Sequence, residues 1–155
     1  MPDYDDEYPT CDRTFATLRF YHDTEPPESV TKTLGLSPTK TQTAGDQRPR
    51  SKSVIKQSGW FLRSEDHVDS RDTRRHIDWI LELLEPKSSE VQNLQADGWE
   101  GDFFCFWLGH GHGGPTLDPY QLQRLAILNL SCGFDVYHDD EGEQDEDPKP
   151  DNAPS

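Results

Sequence analysis

Gly109-His110-Gly111-His112-Gly113-Gly114 is the string in this sequence whose residue types and spacing come nearest to a working site. It matches G-x-G-x-x-G, in which glycines let the backbone approach a pyrophosphate at a helix N-terminus. It also lies between a predicted strand and a predicted helix. Three features count against nucleotide binding. Pro115-Thr116-Leu117 intervene before the helix, and Asp118 places a carboxylate where the phosphate would sit. Only one strand follows, too little for a mononucleotide-binding half. A glycine-rich strand-to-helix connection, in which glycine supplies positive φ, explains the string, and no cofactor is expected.

Histidine is the second signal. His110 and His112 are two residues apart, and His22 and His138 end two other predicted strands. With those strand ends adjacent, His22, His110, His112 and His138 would bring imidazoles to a metal ion. Histidines gathered at polar strand ends would look the same. His67 and His76, near a helix start, read as solvated. Acid–base pairs cannot be singled out among 30 acids, and no G-x-S-x-G string occurs. Cys132 with His138 is a conceivable nucleophile pair, but a thiol beside a strand is usually inert. Trp60, Trp79, Trp99 and Trp107 are spread over four elements and read as core and core-edge residues.

The elements that must position these residues follow from periodicity. Residues 14–22 (TFATLRFYH) alternate and read as a strand. Residues 26–36 read as a short helix, with Gly35 as its stop. The stretch 37–58 reads as a long polar loop holding Lys40, Arg48, Arg50, Lys52 and Lys56. Its cations suit phosphate, an acidic partner or the chain's own acidic ends. Residues 59–64 are a second strand. Residues 74–85 form the clearest helix, with Ile77, Ile80, Leu81 and Leu84 on one face, Asp72 or Thr73 as cap and Pro86 as stop. Residues 88–94 add a further helical turn or two. Residues 101–108 (GDFFCFWL) are a third strand with two apolar faces, expected to be central and covered on both sides. Residues 118–129 form a helix with an Asp118/Gln121 capping box, and 133–138 form the last strand.

This order predicts an α+β fold: a four-stranded sheet of two β-α-β halves, ferredoxin-like, with an inserted connecting helix. The direction of the third strand is left open. A single domain is expected over 13–138, between disordered acidic ends at 1–12 and 139–155. Those ends carry −5 and −7 of the net charge of −15, leaving the middle mildly acidic.

No apolar run is long enough for a membrane span, and no basic-then-apolar leader precedes the domain. Three cysteines without paired spacing argue against a disulfide framework or structural zinc, and Cys105 reads as a small buried hydrophobe. These exclusions lead to the expectation of a cytoplasmic protein. The charge excludes nucleic acid as a natural partner.

Several short stretches resemble a known family. They are ATLRFYH in the first strand, Leu34-Gly35-Leu36-Ser37-Pro38-Thr39, Gly45-Asp46, Gly59-Trp60-Phe61-Leu62, Leu83-Leu84-Glu85-Pro86 and the aromatic third strand. Together they are similar to a bacterial family described as domain of unknown function 4279, across about residues 14–138. That family has no assigned activity. The resemblance implies an immunity-type role, neutralising a toxin of the same or a rival cell. The HGHGG loop and the acidic tail depart from the family pattern. The expectation is a non-enzymatic protein-binding module whose partner is a basic protein, with the four-histidine metal site as its alternative.

Overall fold

Twelve residues of alternating character, Cys11–His22, make the strand on which everything else is laid (β1). The computed structural model describes residues 3–139. After β1 come helix α1 (Glu28–Leu34), β2 (Lys40–Gln42), β3 (Ser58–Arg63) and α2 (Thr73–Leu84). A 3-10 turn at Glu85–Lys87 leads to α3 (Ser88–Ala96), β4 (Glu100–Gly109), α4 (Pro119–Ile127) and β5 (Ser131–His138).

The helix boundaries follow local chemistry. Gly35 ends α1 in the left-handed region at φ 68°, its N–H donating to Thr31 O. The Asp72 side chain accepts from Arg74 N and starts α2, and Asp118 with Gln121 forms the capping box of α4. α2 ends at Leu84, just before Pro86, as the sequence predicts. Pro86 enters a 3-10 turn, where a missing N–H is tolerated, and α3 continues from it.

The strands form one sheet in the order β2-β3-β1-β4-β5. This corrects the four-stranded, ferredoxin-like expectation. The extra strand, β2, lies inside the stretch read as polar loop and pairs antiparallel with β3. β1 and β2 are parallel and joined through α1, with β3 returning between them, so the first half is a split crossover closed by a β2-β3 hairpin. Only β4-α4-β5 is a β-α-β unit whose two parallel strands are neighbours. β4 is antiparallel to β1, so it runs parallel to β3, which settles its direction.

The sheet is covered on one face. Ala16, Leu18 and Phe20 of β1, Trp60 and Leu62 of β3, and Phe103 and Cys105 of β4 share one core with the buried apolar residues of all the helices. The register puts Phe15, Thr17, Arg19 and Tyr21 on the other face, opposite Phe106, Phe104, Asp102 and Glu100. No helix among the described residues packs there, so β4 is central as expected but covered on one side only.

The N-terminal stretch expected to lie free is tied down from its first described residues. Asp5 N donates to Asp72 Oδ2 at 2.7 Å, and Asp6 accepts from Ser70 Oγ and Arg75 Nε at 2.6 and 2.7 Å. Asp6 meets Arg75, distant in sequence, and the bonds of this segment to Ser70, Asp72 and Arg75 order it despite its charge. All but Asp139 of the acidic tail 139–155 lies outside the described residues. No described helix is long and apolar enough to cross a membrane.

Candidate functional site

The four candidate metal-ligating histidines do not share one place. Gly109 pairs with Cys11 and with His138, so His110, His112 and His138 lie at the Cys11 end of β1. His22 ends that strand on the far side, roughly 35 Å away for eleven steps of extended chain. His22 Nδ1 accepts from Thr24 N and Glu25 N at 3.0 Å, leaving Nε2–H to donate to Asp97 O at 3.0 Å. That ring closes a turn. His110 Nδ1 sits 3.0 Å from Asp12 Oδ1, and His138 lies against Trp107 with ring centroids 6.0 Å apart. Among the described residues no group of three or more His, Cys, Asp or Glu side chains is placed to hold a metal ion. Cys132 neighbours the Cys105 sulfur at 3.9 Å and sits at the opposite end of β5 from His138, so that nucleophile pair does not form.

Gly109 and Gly113, at and within the string, are required by close packing, and Gly111 by its positive φ of 70°. A Cβ on Gly109 would stand 2.3 Å from the Trp107 ring and 2.5 Å from the backbone oxygen of Thr10. Gly113, at φ +113°, would crowd Tyr8 Oη at 2.6 Å and Thr10 Oγ1 at 2.8 Å. The loop is pressed against the N-terminal segment, and the start of α4 already holds Asp118, itself paired with Arg74 Nη1 at 2.6 Å. Gly109→Ala is therefore expected to cost about 1–3 kcal/mol of stability, read as a lower urea midpoint. An unchanged midpoint would show that the packing relaxes freely.

Two buried titratable groups escaped the sequence. His76, expected to be solvated, is 1% exposed. It occupies the fourth position of α2, one residue before the apolar stripe, and that proximity was the available signal. Its Nε2–H donates to Ser70 O at 2.8 Å, while Nδ1 lies 2.7 Å from Ser64 Oγ, which itself accepts from Ala16 N at 2.9 Å. Every polar atom of this Ser–His pair is used internally and Ser64 is fully buried, so the pair ties the end of β3 to α2.

Burial lowers the His76 pKa below its ordinary 6.5. The unfolded chain then binds the proton more readily than the folded one. Stability from this group is complete above about pH 6.5 and is lost as pH falls toward the depressed folded value. The urea midpoint is expected to drop between about pH 7 and about pH 5, and His76→Gln to flatten that slope. Equal midpoints at both pH values would contradict the burial effect. Asp6, held below its ordinary 3.8 by hydrogen bonds from Arg75 and Ser70, adds a second loss at lower pH.

The second group is Asp78, 2% exposed, on α2. It accepts from Tyr4 Oη, from Gln121 Nε2 at 2.9 and 3.0 Å, and from Arg124 Nη1 at 2.9 Å. Arg124 is forked further onto Glu85 at 2.7 and 2.9 Å. One carboxylate thus joins the N-terminal segment, α2 and α4. Burial, with Asp78 beside it, pushes the Tyr4 hydroxyl pKa upward, so Tyr4 stays a donor.

The uncovered sheet face carries a continuous array of half-buried rings and arginine planes. Phe15 and Phe106 stack with centroids 5.1 Å apart, and Arg13 lies over both rings at 5.4 and 5.3 Å. Arg63 covers Phe15 from the β3 side at 5.3 Å. Arg19 lies 4.1 Å over Phe104 and 5.4 Å over Tyr21. Tyr21 meets Phe61 edge-on, and Phe106 meets Tyr137, each pair at 5.6 Å. The guanidinium charges are answered locally. Arg19 binds Asp102 through two bonds of 2.8 and 2.7 Å, and Arg13 and Arg63 both reach Glu65. The result is a flat surface of half-exposed rings and arginine planes with nearly cancelled charge. The sequence signal for it was the pattern of β1, where Arg13 and Arg19 share parity with Phe15 and Tyr21.

No curated protein and no solved structure matches the chain. One family model does, over residues 12–139, from the second residue of β1 to one residue beyond β5. The match covers all five strands and all the helices described above, and on that ground the chain belongs to the family described as Domain of unknown function (DUF4279).

Proposed function

We propose that this chain is a non-enzymatic protein-binding module that docks a protein partner on the uncovered face of its sheet. The carrying observation is the ladder of Phe15, Phe104, Phe106, Tyr21 and Phe61 interleaved with Arg13, Arg19 and Arg63, with no layer over it among the described residues. Aromatic residues and arginine are the types enriched at the centres of protein interfaces, where other charges are scarce. Five strand spacings by about eight residues give a patch on the order of 600 Å², close to the ~800 Å² each partner buries in a standard interface.

The partner in this reading is basic. The patch itself is charge-compensated, but the molecule around it carries −15. That field attracts a positive protein at long range and leaves short-range affinity to the rings. An immunity-type role, occluding a basic toxin, is the form of this proposal that the charge and the family resemblance support.

The test uses the protein encoded by the adjacent gene. Phe106→Ala should weaken binding about thirtyfold or more, as removal of a central aromatic anchor does. Ile127→Ser, at a side chain 76% exposed on α4, should leave binding unchanged. Retained affinity in a folded Phe106→Ala variant would remove the sheet face as the docking surface. Equal affinity in low and high salt would remove the basic partner.

A further inference from the structure

Beyond the sheet face, a second surface has the makings of a site. Between β2 and β3 the chain forms a hairpin closed by the Gln47↔Val54 bridge. Gly45 N donates to Ile55 O and Ile55 N to Asp46 O, both at 2.8 Å, and Arg48 N donates to Ser53 O at 3.0 Å. Ile55, 8% exposed, is the buried apolar side chain of the hairpin. With β2 the hairpin encloses a hollow of about 670 Å³ lined by Lys40, Arg48 and Arg50, by hydroxyls including Thr41 and Ser51, and by one acid, Asp46.

Cations without an ion pair are concentrated here. Lys32, Arg71 and Lys87 also lack one among the described residues, but they stand singly along the chain. The chain holds 30 acids against 15 Lys and Arg, so ion pairs are easily formed. Arg13, Arg19, Arg63, Arg74, Arg75 and Arg124 each have one. Lys40, Arg48, Arg50, Lys52 and Lys56 have none among the described residues, although five cations fall within seventeen positions. The internally bonded backbone fixes where these side chains leave the hairpin, so an anion has only their rotamers to order and not the loop as well.

We propose that this hollow binds a small organic anion bearing two or more phosphate groups. Guanidinium forks match phosphate oxygens through paired hydrogen bonds, and hydroxyl donors serve the remaining ones. Size follows from screening. At physiological salt, charges separated by more than about 8 Å hardly interact, so a ligand held in the hollow meets the hairpin's cations. A nucleic acid long enough to leave the hollow meets the acidic surface and is repelled.

Titration calorimetry of the full chain with inorganic tripolyphosphate tests the proposal, with sodium sulfate at matched ionic strength as control. Saturable binding to one site is expected, weakened about tenfold for each of Arg48→Gln and Arg50→Gln. Lys52→Gln, on the same hairpin but outside the hollow, is expected to change affinity by less than about twofold. These surface variants should keep the parent's circular dichroism. Three results would overturn the site: no heat beyond the sulfate control, equal loss in all three variants, or undiminished affinity in the Arg48→Gln/Arg50→Gln double variant. Because the hairpin lies on the β2 edge and not on the aromatic face, either proposal can fail while the other stands.

Discussion

Asp78→Ala is expected to lower the unfolding free energy by about 3 kcal/mol, read from the urea midpoint at constant slope. The carboxylate is enclosed and collects bonds from Tyr4 of the N-terminal segment and from Gln121 and Arg124 of α4. Removing it strands a buried amide and leaves the tyrosine hydroxyl without its acceptor, and unmet buried donors cost more than the bonds were worth. Arg124 keeps Glu85, so the loss stays at the lower end of what breaking a buried pair costs. Asp78→Asn should recover part of it, since one carbonyl oxygen remains to accept. A drop below about 1 kcal/mol for the alanine variant would mean that water replaces the missing oxygens.

Trp60→Ala is expected to cost about 3–5 kcal/mol, as truncation of a fully enclosed indole generally does. Trp60 is 0% exposed on β3, packs edge-on against Phe20 at 6.1 Å, and donates from Nε1 to Thr31 Oγ1 at 2.9 Å. The indole therefore fills the space between sheet and α1 and also holds the helix in register. Trp60→Phe separates the two roles. It keeps most of the ring and loses the donor, and about 1 kcal/mol is expected. If both variants cost the same, the hydrogen bond and not the volume would be the dominant contribution.

Much of this architecture was legible because it rests on local rules. The apolar stripe Ile77, Ile80, Leu81 and Leu84, the cap at Asp72, the capping box at Asp118 and Gln121 and the stop at Gly35 all depend on neighbours within a few positions. What was not legible depends on distance in sequence. β2 is three polar residues that become a strand because β3 offers an open edge. The acids of the N-terminal segment signalled disorder, yet Arg75 of α2 pairs with Asp6 and Arg74 donates to the Asp3 backbone carbonyl.

The candidate site divides the same way. The histidines invited a cluster because strand ends were assumed to coincide, whereas antiparallel pairing sends His22 and His110 to opposite ends of the sheet. The two apolar faces of β4 correctly implied a central strand. They did not reveal that one set of rings is covered by guanidinium planes in place of a helix. His76 and Asp78 carry polar letters, and their burial follows only from packing against the N-terminal segment, β3 and α4.

The sheet order bears on how the molecule comes into being. β1 is made first yet sits in the middle, flanked by β3 and by β4, whose last residue to pair with it is Gly109. A ribosome must therefore deliver everything from Cys11 through Gly109 before the central strand has both neighbours. Until then one long edge, with Phe15, Leu18 and Phe20 along it, is open to foreign strands. Such late, long-range closure makes for slow folding and a window of vulnerability during synthesis.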